Sequence, residues 1–100
     1  MPAILAAIEA DPSDFSQAAA ATLRKRSPLM LAVVLEQIRR ARRMGLADDL
    51  RMERDMVRHC FHPRHLGRSP AEGETVEGIR ALAIDKDHQP HWQPSRVEDV

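Results

Sequence analysis

The apolar residues of this chain recur three and four residues apart almost throughout, and no stretch alternates with the period of a strand. Such spacing places the apolar side chains on one face of a helix. The pattern predicts an all-α fold with about five helices and a short turn near the C-terminus. We expect these helices over residues 2–10, 14–26, 28–44, 48–61 and 74–86.

Several residues mark where these helices begin and end. Ser27-Pro28 combines a hydroxyl N-cap with proline at the first helical position, and Ser13 can cap the second helix. We expect Gly45 to stop the third helix at its C-terminal end. Residues 61–73 contain two prolines and two glycines, which predicts a flexible loop between the fourth and fifth helices.

Large side chains are scarce in this chain. Its 100 residues include only three aromatic side chains, those of Phe15, Phe61 and Trp92. A domain of this size is already marginal, and few large side chains make a self-sufficient core harder to build. We therefore expect one helical domain over residues 1–100 that packs through an oligomer interface or against a partner.

The overall charge excludes several classes of protein. Fifteen basic and fifteen acidic residues give a net charge of zero, which argues against a chain built mainly to bind nucleic acid or anionic membrane. No uncharged apolar run approaches the ~20 residues that span a bilayer. The single cysteine favours a reducing compartment, and the first residues lack the basic region of a signal peptide. We expect a cytoplasmic protein without membrane contacts.

Basic residues are nevertheless concentrated in the middle of the chain. The segment Arg24–Arg43 contains seven basic residues and one acid, Glu36. The segment can be a solvated face, or a patch that meets the phosphates of a cofactor or the acids of another subunit. Nucleic-acid binding is less favoured because no aromatic platform accompanies the arginines.

A second cluster holds residue types that bind zinc. His59, Cys60, His62 and His65 lie within seven residues, but their spacing fits no recognised zinc framework and Pro63 interrupts it. We interpret the cluster as a buried cysteine followed by a histidine-rich surface loop, and assign no metal ligand. Zinc binding through the cysteine and the last two histidines stays the alternative.

No catalytic motif is present in the sequence. It contains no glycine-rich phosphate loop, no nucleophile elbow and no zinc-protease motif. We therefore assign no catalytic residue. Glu53 lies on the apolar face of the fourth helix, where a carboxylate usually has a partner. We expect a buried ion pair between Glu53 and Arg80.

The segment Glu77–Trp92, EGIRALAIDKDHQPHW, resembles the C-terminal signature of the 3-hydroxyisobutyryl-CoA hydrolases. These enzymes belong to the crotonase (enoyl-CoA hydratase/isomerase) superfamily. The resemblance continues upstream through Ser27-Pro28 and Met52-Glu53, so that it covers nearly all of this chain but only about the last third of a full-length relative. Glu74-Thr75 departs from the Asp-Phe common in the family.

The resemblance implies a function without catalysis in this chain. In that family a β/α core supplies the oxyanion hole and the catalytic carboxylates, and the C-terminal helices cover that core and contact other subunits. It therefore implies a non-catalytic C-terminal helical domain whose partners are further copies of itself or a separate crotonase core. Whether this chain has enzymatic activity stays open.

The resemblance also implies a ligand for the full-length family. That ligand is a coenzyme A thioester, and no cofactor is expected in this chain alone. Lys86 is a candidate contact to the cofactor's phosphates, although a lysine at a helix C-terminus can also simply balance the helix dipole. The alternative function is an independent small helical binding module, whose basic patch would bind nucleic acid or coenzyme A.

Overall fold

The computed structural model describes all 100 residues, and its regular structure is entirely helical. The predicted all-α fold is therefore confirmed. The α-helices are α1 (Pro2–Ala10), α2 (Asp14–Arg24), α3 (Pro28–Ala41), α4 (Leu46–Phe61) and α5 (Glu74–Ile79). A final 3-10 turn, Val97–Asp99, forms the short C-terminal element that the sequence predicts.

The chain divides into two compact units. The first contains Met1–Glu36 together with the last residues, Gln93–Val100, and the second contains Gln37–Trp92. The C-terminal tail thus belongs to the same unit as the N-terminal helices. Helix α3 begins in the first unit and ends in the second.

The predicted caps explain how two of the helices begin. The Ser27 hydroxyl accepts a hydrogen bond from the Met30 amide at 3.3 Å, and the Ser13 hydroxyl accepts one from the Ser16 amide at 3.2 Å. Both caps satisfy amide groups that have no partner within the helix. The prediction that Gly45 stops the third helix is wrong. Helix α3 already ends at Ala41, and Gly45 is the N-cap of α4.

The last predicted helix changes its geometry half-way. The α-helical part ends at Ile79, and Arg80–Ile84 form a π-helical turn in which the Asp85 amide donates to the Arg80 carbonyl at 2.8 Å. Lys86 then has a φ of 55°, the left-handed conformation that stops a helix. Periodicity predicted the presence of this helix, but its widened turn has no signal in the sequence.

The segment 61–73 contains local structure where the sequence predicted a loop. It holds two short 3-10 helices, Pro63–Leu66 and Pro70–Glu72. Gly67, with a φ of 69°, ends the first of them, and Ser69 and Glu72 form a capping box around the second. The flexibility of the segment stays a prediction.

The first unit contains a small apolar core. Leu5 is fully buried and packs with Ala20 of α2 and with Val97 of the final turn. Met1, Ile8, Leu23 and Leu31 pack around these three residues. Because Val97 comes from the C-terminal tail, the tail completes the core of the N-terminal helices.

Most of the larger apolar side chains lie outside any core. Phe15 of α2 and Leu46 of α4 follow the apolar spacing of their helices, which predicts that they face inward, but these side chains are 84% and 75% exposed. Both expectations are wrong for this chain by itself, since neither unit has apolar surface that covers them. The other exposed large apolar residues are Ile4, Val34, Ile38, Leu50, Val57, Phe61, Leu66, Val76, Ile79, Leu82, Ile84 and Val100.

This contrast predicts unequal effects of shortening two leucines. Leu5→Ala removes the one large aliphatic side chain that is completely buried, and we expect a loss of about 2–5 kcal/mol in the free energy of unfolding. Leu46→Ala is the matched control and should change it by less than about 0.5 kcal/mol when both are measured at a concentration low enough for the chain to be monomeric. Urea unfolding followed by circular dichroism measures both values, and equal losses would contradict the described core.

Candidate functional site

Arg80 is the centre of the most extensive polar network in the second unit. Its Nε donates to Oε1 and Oε2 of Glu77 at 3.0 and 2.9 Å, and its Nη2 donates to Oε1 at 2.6 Å. The two residues lie three positions apart, so one turn of helix brings the guanidinium against the carboxylate. The pair is only partly accessible to solvent, with exposed side-chain fractions of 26% and 21%.

The same guanidinium holds the segment that follows the π-helical turn. Its Nη1 donates to Oδ2 of Asp85 at 2.7 Å and to Oδ2 of Asp87 at 2.9 Å. Its Nη2 also donates to the Gln89 carbonyl at 3.2 Å. Because these acceptors follow Arg80 in the chain, their bonds fold the segment back towards the start of α5.

Glu77 holds the end of this returning segment. Its Oε1 accepts a hydrogen bond from the His91 amide at 2.8 Å. The next residue, Trp92, lies over Gly78, where a Cβ atom would stand 3.3 Å from the indole ring. We call Glu77, Arg80, Asp85, Asp87 and the backbone groups of Gln89 and His91 the signature clasp.

Hydrogen bonding within the clasp shifts the pKa of its members. The bonds from Arg80 and then from the His91 amide lower the pKa of Glu77 from 4.5 to about 2. The pKa of Arg80 is raised, chiefly by Glu77. The Gln89 amide, followed by Arg80, lowers the pKa of Asp87. All these groups are therefore charged at neutral pH.

The expected ion pair between Glu53 and Arg80 is wrong. Glu53 is half-buried, and its Oε1 accepts a hydrogen bond from the Gln37 amide group at 3.3 Å. Arg80 instead uses Glu77 and the two aspartates that follow it. The guanidinium of Arg80 thus binds carboxylates close to it in the chain rather than the distant carboxylate of Glu53.

Lys86, the candidate coenzyme A contact, lies within the segment that the clasp holds. It is exposed and stands between Asp85 and Asp87, both of which bind Arg80. Three carboxylates surround one guanidinium here, so the nearby charge is negative. An anionic group that approaches Lys86 would meet this charge, and the contact stays a proposal.

The histidine and cysteine cluster does not converge on one point. The rings of His59 and His65 meet edge to face with their centroids 4.7 Å apart, while Cys60 is a half-buried free thiol. The chain contains no group of three or more histidine, cysteine, aspartate or glutamate residues placed to hold a metal ion. The structure thus brings two of the histidines together without forming the alternative zinc site.

The basic segment is divided between the two units. In the first unit, Arg24 donates to Glu9 at 2.6 Å and to Glu98 at 2.9 Å, so its charge is used inside the fold. Arg39, Arg42 and Arg43 are exposed at the end of α3 and just beyond it, in the second unit. The arrangement therefore does not form one continuous patch within either unit.

The signature segment Glu77–Trp92 contains every residue of the clasp, but we did not predict the hydrogen bonds that connect them. Glu77 and Arg80 have the three-residue spacing of a helical ion pair, and two aspartates follow within one short segment. These signals were sufficient to predict a local network. The fold-back of the segment, which brings the Gln89 and His91 backbone into it, depends on the left-handed residues Lys86 and His88.

Comparison with known proteins assigns the family. The family model described as "Enoyl-CoA hydratase/isomerase" matches residues 1–100, the whole of this chain. The chain belongs to the enoyl-CoA hydratase/isomerase family. This membership confirms the superfamily to which the signature segment points, and no solved structure matches the chain.

Curated relatives from this family carry names of one enzyme. "Probable 3-hydroxyisobutyryl-CoA hydrolase 2" of Arabidopsis thaliana is 39% identical over 89 residues, which are 89% of this chain and 22% of the relative. "Probable 3-hydroxyisobutyryl-CoA hydrolase 3" of the same plant is 35% identical over 104 residues, which cover 100% of this chain and 26% of the relative. "3-hydroxyisobutyryl-CoA hydrolase, mitochondrial" of Gallus gallus is 31% identical over 100 residues, 100% of this chain and 24% of the relative. The chain therefore spans about a quarter of the length of these enzymes.

None of the helices is both long enough and apolar enough to pass through a bilayer.

The depressed pKa of Glu77 predicts how the clasp responds to acid. A lowered pKa means that the carboxylate's stabilising contribution is complete above pH 4.5 and is lost as the pH falls through about 2. Trp92, the only tryptophan, reports on the clasp through its fluorescence. We expect its emission to change well below pH 4.5, towards pH 2.

The Glu77→Gln variant is the control for this titration. It removes the charge that binds Arg80, so the Trp92 emission should already be altered at neutral pH and should lack the acid transition. A wild-type transition centred at 4.5, the ordinary pKa of the side chain, would contradict the clasp.

Proposed function

We propose that this chain is a non-catalytic helical region of a 3-hydroxyisobutyryl-CoA hydrolase-like protein. In this proposal it corresponds to the C-terminal part of the enzyme, covers a crotonase-type core and contributes contacts between subunits. The observation that carries the proposal is the exposure of apolar helix faces in a chain whose own core is small. Exposed apolar surface of this kind is typical of protein interaction sites.

Helix α5 and the π-helical turn that follows it offer the first such face, which we call the face of α5. Val76 and Ile79 of the helix and Leu82 of the turn are exposed, whereas Glu74 and Ala81 are buried. The helix thus turns small or charged residues inward and larger aliphatic residues outward, the reverse of the usual arrangement in a soluble domain. A covering role explains this inversion, because the outward face would be buried against the core of the enzyme.

The signature clasp supports a structural role for the segment most typical of the family. Its carboxylates are bound by Arg80 and by backbone amides, and the pKa of Glu77 lies far below the range useful for proton transfer near neutral pH. We propose that the clasp sets the position of α5 and of Trp92, so that the exposed face of α5 has one orientation for docking.

The lengths of the relatives support the proposal that this chain works together with a separate catalytic core. About three quarters of each relative lies outside the part that this chain matches. We propose that an equivalent region binds the coenzyme A thioester and performs hydrolysis, and that Lys86 approaches the phosphates of that ligand when the core is present. The compound 3-hydroxyisobutyryl-CoA comes from the relatives' names, and we propose it as the substrate of the whole protein.

A single cysteine cannot form a disulfide within this chain, which agrees with a reducing compartment. The relative from Gallus gallus carries "mitochondrial" in its name. We keep the cytoplasm as the proposed location for this chain.

Co-expression with a catalytic core tests the proposed function. The partner is the core of one of the relatives from Arabidopsis thaliana, expressed without the region that this chain matches. We expect the two chains to co-elute in equal amounts, because the exposed face of α5 is then buried. Leu82→Asp should abolish co-elution, while Ala71→Asp, which alters an exposed alanine outside α5, should preserve it.

Thioester hydrolysis provides the second measurement in this test. The chain alone should release no coenzyme A from 3-hydroxyisobutyryl-CoA, and the co-eluting complex should release it. Failure of the wild-type chain to bind the core would contradict the covering role. Hydrolysis by the chain alone would contradict the non-catalytic assignment.

A further inference from the structure

Helix α4 presents a second apolar face to solvent. Leu46, Leu50, Val57 and Phe61 have a helical spacing that places them on one side, and their exposed fractions lie between 49% and 75%. The two methionines of the helix, Met52 and Met56, are half-buried. We call the four exposed residues the α4 stripe.

Charged residues separate cleanly on the two edges of the α4 stripe. With the rotation of about 100° per residue in an α-helix, Asp49 and Glu53 follow one edge of the stripe. The other edge carries three basic residues, Arg51, Arg54 and Arg58. The remaining charges of the helix, on Asp48, Asp55 and His59, lie on the side away from the stripe.

This division of charge determines which partner fits the stripe. When two helices pack in parallel, the left edge of one meets the right edge of the other, and the paired residues are roughly five positions apart. Asp49 then meets the partner's Arg54, and Glu53 meets the partner's Arg58. In an antiparallel pair, like edges would meet and repel each other.

We infer that the α4 stripe is a docking surface for a second copy of this chain, with the two α4 helices parallel. The inference deepens the subunit-contact role in the proposed function by naming the partner and the surface. A parallel pair related by a two-fold axis buries the same four apolar residues on both copies and places two acidic edges against two basic edges.

The charges that the dimer needs are weakly held within one chain. Arg54 pairs with Asp55 at 3.8 Å, but both side chains are more than half exposed. An exposed ion pair contributes little, so Arg54 can exchange Asp55 for Asp49 of the second copy. Glu53 keeps one carboxylate oxygen for Gln37 and has its other oxygen for the partner's Arg58.

Charge reversal with light scattering tests the dimer. We expect the wild-type chain to pass from monomer to dimer as its concentration rises. Arg54→Glu should weaken the dimer about tenfold, because two ion pairs of modest strength become repulsive. The double variant Asp49→Lys with Arg54→Glu should restore dimerisation, while Asp55→Lys, on the side away from the stripe, should leave it unchanged.

Disulfide trapping tests the parallel orientation. In a Cys60→Ser background, Leu50→Cys should form a disulfide with its equivalent in the second copy under mild oxidation. In an antiparallel dimer the cross-link would form instead when Leu50→Cys and Val57→Cys chains are mixed. Circular dichroism of each variant confirms that its helices are retained.

Several outcomes would overturn the inference. They are a wild-type chain that stays monomeric at every concentration, an Arg54→Glu variant that dimerises as well as the wild type, and a disulfide that forms only in the mixed sample. Binding to the catalytic core uses α5 and should not respond to Arg54→Glu. Light scattering therefore tests the dimer, and co-elution with the catalytic core tests the covering role, so that either proposal can be contradicted without the other.

Discussion

The small amount of apolar surface buried inside this chain constrains everything else in its structure. The buried hydrophobic residues are Leu5, Ala20, Ala81 and Val97, and two of the four are alanines. Burial of an alanine removes little apolar area from water, so this core contributes much less than that of a typical domain of equal length. A long series of larger apolar residues is exposed instead. The helices therefore carry apolar faces that lack a second layer to pack against.

Polar interactions supply the order that this core does not provide. Arg24 joins Glu9 near the end of α1 to Glu98 of the tail, and Arg80 joins Glu77 to the segment that returns along α5. Both networks connect residues near helix ends to segments that would otherwise be free. The polar interactions around Arg80 also explain why the signature segment contains these residue types. Gly78 leaves space for the Trp92 ring, and the acids hold one guanidinium, so these residues have a role in the folding of the segment.

The sequence predicted the helices well because their apolar periodicity and caps are local properties. Ser27-Pro28 and Ser13 begin helices as expected, and all five predicted helices are present, although α3 ends at Ala41 and α5 at Ile79, before the predicted ends at 44 and 86. Burial was predicted less well. Glu53 shares a helix face with apolar residues, and we inferred a distant basic partner for it. That inference assumed that an apolar face lies against the chain's own core, whereas in α4 the face at Leu46 and Leu50 is exposed. The π-helical turn after α5 begins at Arg80, the centre of the clasp, and apolar periodicity gives no signal for it.

The central claim is that these helices need a further protein surface, and the dependence of the melting temperature on protein concentration tests it most directly. Association stabilises a folded chain by mass action, so the melting temperature of an associating chain rises with its concentration. We expect the melting temperature of the isolated chain, followed by circular dichroism, to rise steadily over a hundredfold range of concentration. A melting temperature that is high and independent of concentration would show that the chain is complete by itself, and would contradict the account.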